Sequence, residues 1–172
     1  MYKAFCSYIT FFLKKFKASY KIISCDYFGP PTKSKGGINK IYKKISKKEI
    51  LNFALEWDPQ SFHIDEVAAQ QSPYGGIIAS GWQTLLVAFK LILDTKLFSE
   101  SSIGSPGMNY VKWILPVRPD NSLQVFGKVV SYKKSKSKPD RGFVNIAYSV
   151  IRNKDELVCS YEATHLLWCR NN

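Results

Sequence analysis

Histidine is nearly missing from this chain. Two occur in 172 residues, His63 and His165, so any imidazole chemistry must run through one of those positions. Cysteine is sparse as well. Cys6, Cys25, Cys159 and Cys169 form no C-x-x-C pair and have no metal-ligand spacing, which excludes a thiol redox motif or a zinc cluster built on them. No metal and no resident cofactor is expected. Nowhere does an apolar run reach the ~18 residues that a membrane-spanning helix needs. With no clear secretory signal either, a reduced, cytoplasmic setting is expected.

Acid is absent from one end. Residues 1–48 carry twelve lysines and a single acid, Asp26, whereas 49–172 carry thirteen Lys or Arg and twelve acids. The formal charge of +12 therefore belongs to an N-terminal arm, and the body is almost neutral. A nucleic-acid-tracking surface is not expected on such a body. Its only basic cluster, Lys133, Lys134, Lys136, Lys138 and Arg141, is large enough for a few phosphate contacts and also reads as a solvated hairpin tip.

Apolar content of 45% and aromatic content of 15% are what a globular domain with a real core shows. We divide the chain into a basic extension, 1–37, and one folded domain, 38–170. In the extension Phe5, Ile9, Phe12 and Phe16 recur at helical spacing beside Lys14, Lys15 and Lys17. Such a helix can touch an anionic membrane surface, although an extension without function is the preferred reading. Residues 29–37 read as a linker.

The folded part is predicted to begin with a strand over 38–45. Ser46 and Glu49 then make a capping box for a helix with Ile50, Phe53, Ala54 and Trp57 on one face. That helix must stop near Trp57, because Asp58 precedes a proline. A second short helix starts near Asp65, which serves as its N-cap, and Ser72–Gly76 is a turn. The clearest periodicity follows: Trp82, Leu85, Leu86, Phe89, Ile92 and Leu93 keep the i, i+3, i+4, i+7 rule. This helix, 81–94, is expected to be buried on most sides. Strands are predicted over 108–117, 122–134, 142–152 and 156–169, the last two joined by a hairpin at 153–155. In the last, Cys159 and Cys169 share parity and should be buried thiols, while His165 shares a face with Leu and Ala and reads as structural. The order of elements implies an α+β domain, a curved antiparallel sheet wrapped around one long central helix.

The stretch Trp57–Asp65, WDPQSFHID, sets the carboxylate of Asp58 five residues before His63. A carboxylate can activate water and an imidazole can hold either protonation state near neutrality. The spacing alone is weak evidence and fits a satisfied turn histidine or a helix cap better than catalysis.

The wider stretch FALEWDPQSFHIDEVAAQQSPYGGIIASGW, 53–82, resembles the MaoC-like dehydratase family, also called type 2 or (R)-specific enoyl-CoA hydratases. KWILPVRPDNSL, 112–123, is similar to that family's strand and turn. The resemblance covers residues 38–170 and implies the hot-dog fold, a homodimer and reversible hydration of an enoyl thioester. The carrier would be coenzyme A as part of the substrate, with acyl carrier protein as the alternative. The family's catalytic Asp falls on Asp58, its catalytic His on His63, and the glycine of its "HG" on Gly81. Gln60, Ser61 and Ser80 depart from the family's usual Asn, Pro and His. The resemblance further implies that the Gly81 N–H faces the thioester carbonyl, with Ser80 and Gly76 beside it as oxyanion or substrate contacts. Gly81 also has a plainer reading as close packing at a helix start. Trp57, Phe62, Tyr74 and Trp82 are candidates to line an acyl tunnel or simply to pack. Two other functions are kept open, a hot-dog thioesterase and a non-catalytic acyl-thioester-binding protein.

Overall fold

A computed structural model of the chain describes residues 42–169. The expected basic helix over 5–16, the linker and the start of the first strand lie outside them. What is described of that strand is short, β1 (Lys43–Lys44), followed by three helices: α1 (Lys47–Trp57), α2 (Ser61–Ile64) and α3 (Glu66–Gln71). The long helix α4 (Gly81–Asp94) comes next, then β2 (Ser102–Trp113), β3 (Ser122–Lys134), β4 (Arg141–Arg152) and β5 (Glu156–Trp168).

Local chemistry fixes the helix starts. Ser46 Oγ accepts the Glu49 N–H at 3.2 Å, and Glu49 Oε2 accepts the Ser46 N–H at 2.8 Å, which completes the capping box. The Lys43 side chain, with Ser46, holds the Glu49 carboxyl at about 2, well below its ordinary value. Asp65 Oδ1 accepts the N–H groups of Val67 and Ala68 at 2.8 and 3.0 Å and so starts α3. Asp58 caps the end of α1, its N–H bonded to the Ala54 carbonyl at 2.9 Å.

The five strands form one antiparallel sheet in the order β1-β3-β4-β5-β2. The sheet curls around α4, the arrangement expected from the sequence. Leu85, Ala88, Leu91 and Ile92 on the helix meet Val144, Ile146, Tyr148, Val150, Tyr161 and Ala163 from the sheet in one buried core. Fully burying a side chain such as Leu85 contributes about 1.5–3 kcal/mol. His165 lies in the same layer. Its Nε2 is 2.9 Å from Tyr148 Oη, its ring stacks on Phe98, and burial lowers its pKa, as suits a neutral structural imidazole.

Four sequence expectations are corrected. β2 runs over 102–113 rather than 108–117, because Pro106, Gly104 and Gly107, which read as turn residues, are taken up as bulges on an edge strand. Cys159 is buried, its thiol pushed up to about 11 by desolvation, but Cys169 lies past the end of β5 and is half-buried. Trp57 is exposed although Ile50 and Ala54 of the same helix are buried. The fourth is α4 itself. Trp82, Leu86, Phe89 and Leu93 stay 58%, 55%, 48% and 48% exposed, since a single sheet covers only one side of a helix that is apolar almost all round.

Candidate active site

Two turns of irregular chain bring the site residues together. α1 ends at Asp58, which Pro59 prevents from continuing the helix. One turn later α2 presents His63, so this histidine stands on a short helix instead of the loop expected from the sequence. Its side chain is almost fully buried, and the Asp58 carboxylate is shielded but not closed off, with 4% and 17% exposed.

His63 Nε2 lies 3.3 Å from Asp58 Oδ2. The other ring nitrogen, Nδ1, lies 2.8 Å from the carbonyl oxygen of Ile78. A carbonyl only accepts, so Nδ1 carries the proton, and in the neutral ring Nε2 turns a lone pair toward the carboxylate. Phe62 supports the ring edge-on, with centroids 4.4 Å apart, and Tyr74 lies on Phe62 at 5.1 Å.

Asp58 is tied down on its other oxygen, where Oδ1 accepts from Gln60 Nε2 at 2.7 Å. Partial burial raises its carboxyl, but hydrogen bonds from the Ser80 and Gln60 side chains, with His63 nearby, outweigh this and hold it below the ordinary carboxylate value. Asp58 is thus ionised at neutral pH.

Ser80 is the link between the dyad and the central helix. It is fully buried, and it caps α4 by accepting the Trp82 N–H on Oγ at 3.2 Å. The same hydroxyl hydrogen-bonds the Asp58 carboxylate, so it positions the acid. Replacing Ser80 with Ala should raise the Asp58 pKa. A carboxylate that works ionised loses activity as pH falls through its pKa, so the acidic limb of a kcat/KM profile should move to higher pH. Loss of the cap also costs about 1 kcal/mol of stability, but that loss alone leaves the limb where it was. An unmoved limb in Ser80→Ala would remove Ser80 from the site.

Gly81 opens α4, where the first amides lack intrahelical acceptors, and among the described residues no acceptor meets its N–H. A Cβ at this position would stand 2.6 Å from the Trp113 indole, so the residue must be glycine for steric reasons as well. Trp113 was not singled out from the sequence. Only its place on an expected strand was legible, since its contact with Gly81 joins residues 32 positions apart. Gly76 is a different case. Its N–H is bonded to the Ala69 carbonyl at 2.8 Å, so it is not free to serve an oxyanion. Its φ of +141° explains the glycine without any role in binding.

The remaining candidates lie apart from the dyad. Arg141 is held by Asp140 through Nε at 2.8 Å and stacks over Trp168 at 4.3 Å. It pairs with Trp168, while Trp113 beside Gly81 pairs with Cys159, a separation of roughly 30 Å along β5 at ~3.3 Å per residue. Two open grooves of about 360 and 380 Å3 flank Arg118 and Gln83, and neither is lined by Asp58 or His63. Among the described residues no group of three His, Cys, Asp or Glu side chains is arranged to hold a metal ion, and no helix is long and apolar enough to cross a membrane.

Residues 35–152 match the family model described as "MaoC like domain", more than half of the chain. The chain belongs to the MaoC-like domain family. This MaoC-like domain is 34% identical to the Bacillus subtilis protein YdeM over 134 residues, 76% of this chain and 94% of that protein. Its structure is similar to the MaoC-like dehydratase of Rhodospirillum rubrum, with a TM-score of 0.72 at 31% identity over 77% of this chain and 90% of that one. It also shares the fold of the (R)-hydratase of A. caviae involved in PHA biosynthesis, with a TM-score of 0.59 at 18% identity, covering 73% and 89% of the two chains. The fold is therefore the hot-dog fold of MaoC-like and (R)-hydratase structures.

Proposed function

We propose that this MaoC-like domain catalyses the reversible hydration of a trans-2-enoyl thioester, carried on coenzyme A or on acyl carrier protein. The observation that carries the reading is the facing pair, with Asp58 ionised and His63 held by Ile78 so that Nε2 points at it. One water lying beside the pair can donate one proton to Nε2 and the other to the carboxylate. As the water oxygen bonds to the β-carbon, one of its protons passes to His63 Nε2, and the Asp58 carboxylate stabilises the imidazolium. The electrons of the double bond move onto the thioester oxygen as an enolate. There the Gly81 N–H, at the positive end of α4, meets the developing charge. The enolate collapses by taking the Nε2 proton at its α-carbon. Water's proton and hydroxyl both end on the substrate, and His63 and Asp58 return to their starting states.

The test is loss of the conjugated-thioester absorbance when the protein is mixed with trans-2-enoyl-CoA substrates of several chain lengths. Release of free thiol instead would make it a thioesterase. Tight binding with neither change would make it a non-catalytic acyl-binding protein.

The same reading includes a homodimer. Leu86, Phe89 and Leu93 on α4 are exposed apolar side chains, and β2 is an edge strand of the described sheet with Met108 and Tyr110 exposed. An edge of this kind is left open only when something covers it. Sedimentation should show a dimer that Leu86→Lys shifts toward monomer; a wild-type monomer at working concentration removes this part.

A further inference from the structure

We infer that Trp113 forms a wall of the thioester pocket and makes this site selective for enoyl thioesters unbranched at the α-carbon. The inference rests on the hydratase reading above and goes beyond it by naming the residue that limits the substrate.

The geometry begins at Gly81. The Trp113 indole packs so tightly on that glycine that a Cβ there would lie 2.6 Å from both Nε1 and Cε2 and 3.0 Å from Cδ1. The ring therefore lies directly beside the amide that would receive the thioester oxygen. It is braced edge-on by Trp82, with centroids 5.4 Å apart and planes at 73°. Its strand position is fixed by pairing with Cys159, which is fully buried. Even so, Trp113 and Trp82 remain 49% and 58% exposed. Two indoles of this size, held at a helix start and still half open, present a surface to whatever occupies the space before Gly81.

The chemistry of a thioester says where such a wall acts. A carbonyl oxygen bonded to the Gly81 N–H brings its carbon, and the two groups on that carbon, to the indole. One is sulfur, which bears a CH2 in every coenzyme A or acyl-carrier-protein thioester. The other is the α-carbon, the only nearby position at which natural substrates differ. The conjugated enoyl thioester is flat and can lie against a flat ring. An α-methyl group widens it at that point, where the ring is braced by Gly81 on one side and Trp82 on another.

The experiment compares kcat/KM for trans-2-butenoyl-CoA and for its 2-methyl analogue in wild type, Trp113→Phe and Trp113→Ala. One methyl group at a packed wall is discriminated by about tenfold or more, so wild type should prefer the unbranched substrate by at least that factor. Trp113→Ala should narrow the ratio by about tenfold, through gain on the 2-methyl substrate, and Trp113→Phe should narrow it less. A ratio unchanged in Trp113→Ala, in protein that keeps its far-UV circular dichroism, overturns the inference; if the Ala variant does not fold, an unchanged ratio in Trp113→Phe and Trp113→Leu does so. A second arm measures binding of butanoyl-CoA and 2-methylpropanoyl-CoA, which cannot be hydrated. The same dependence on residue 113 in binding, with no hydration of either enoyl substrate by wild type, would leave the wall standing and remove the hydratase reading.

Discussion

His63→Ala is expected to lower kcat for enoyl-thioester hydration by about two to four orders of magnitude, the usual worth of a positioned acid or base, while the domain stays folded. The loss is large because Nε2 has two duties in sequence: it takes the proton from water and returns it at the α-carbon. Asp58→Asn should cost a similar factor for a different reason. The amide keeps the shape but removes the charge that holds the imidazolium, and it offers an N–H where the water needs an acceptor. A third comparison separates the two losses. His63→Gln keeps a polar side chain near the Ile78 carbonyl, so its melting temperature should stay near wild type while its activity follows His63→Ala. Steady-state kinetics and thermal melts on the three variants check this. Hydration retained within tenfold in both His63→Ala and Asp58→Asn would end the proposed mechanism.

Gly81→Ala carries the second large effect, and it sorts two explanations of one residue. The added methyl meets the Trp113 indole at 2.6 Å, far inside van der Waals contact, so the single variant should lose stability and activity together. Overpacking of this kind costs about 1–3 kcal/mol. The double variant Gly81→Ala with Trp113→Ala removes the clash, and its melting temperature should recover. If the glycine serves only that packing, hydration of an unbranched enoyl-CoA recovers too. If the added methyl keeps the thioester oxygen away from the amide, activity stays down, by at most the about 100- to 1000-fold that loss of one oxyanion donor costs. Refolded but inactive protein is the expected outcome.

The sequence by itself determined a good deal here, wherever the physics is local. A capping box at Ser46 and Glu49, an N-cap at Asp65, a helix stop before Pro59 and a two-residue alternation through β5 all depend on residues a few positions apart. The single periodic stripe of α4 and four alternating segments were enough for a curled antiparallel sheet around one helix. The Asp58 and His63 pair was also legible, through the resemblance of 53–82 to the MaoC-like family more than through a five-residue spacing that many proteins share.

Tertiary structure decided the rest, and in each instance two distant segments had to meet. His63 owes its tautomer to the carbonyl of Ile78, 15 residues away, and no spacing rule reveals that partner. Ser80 holds the Asp58 carboxylate only because the start of α4 is laid beside the end of α1. Periodicity marked α4 as apolar but could not say which of its faces a single sheet would cover, since burial belongs to the assembled layers and not to the helix. Trp113 against Gly81 is the sharpest instance. A strand tryptophan goes unremarked in sequence and Gly81 is read there without its partner, and their contact arises when the sheet curls and brings its edge under the helix start.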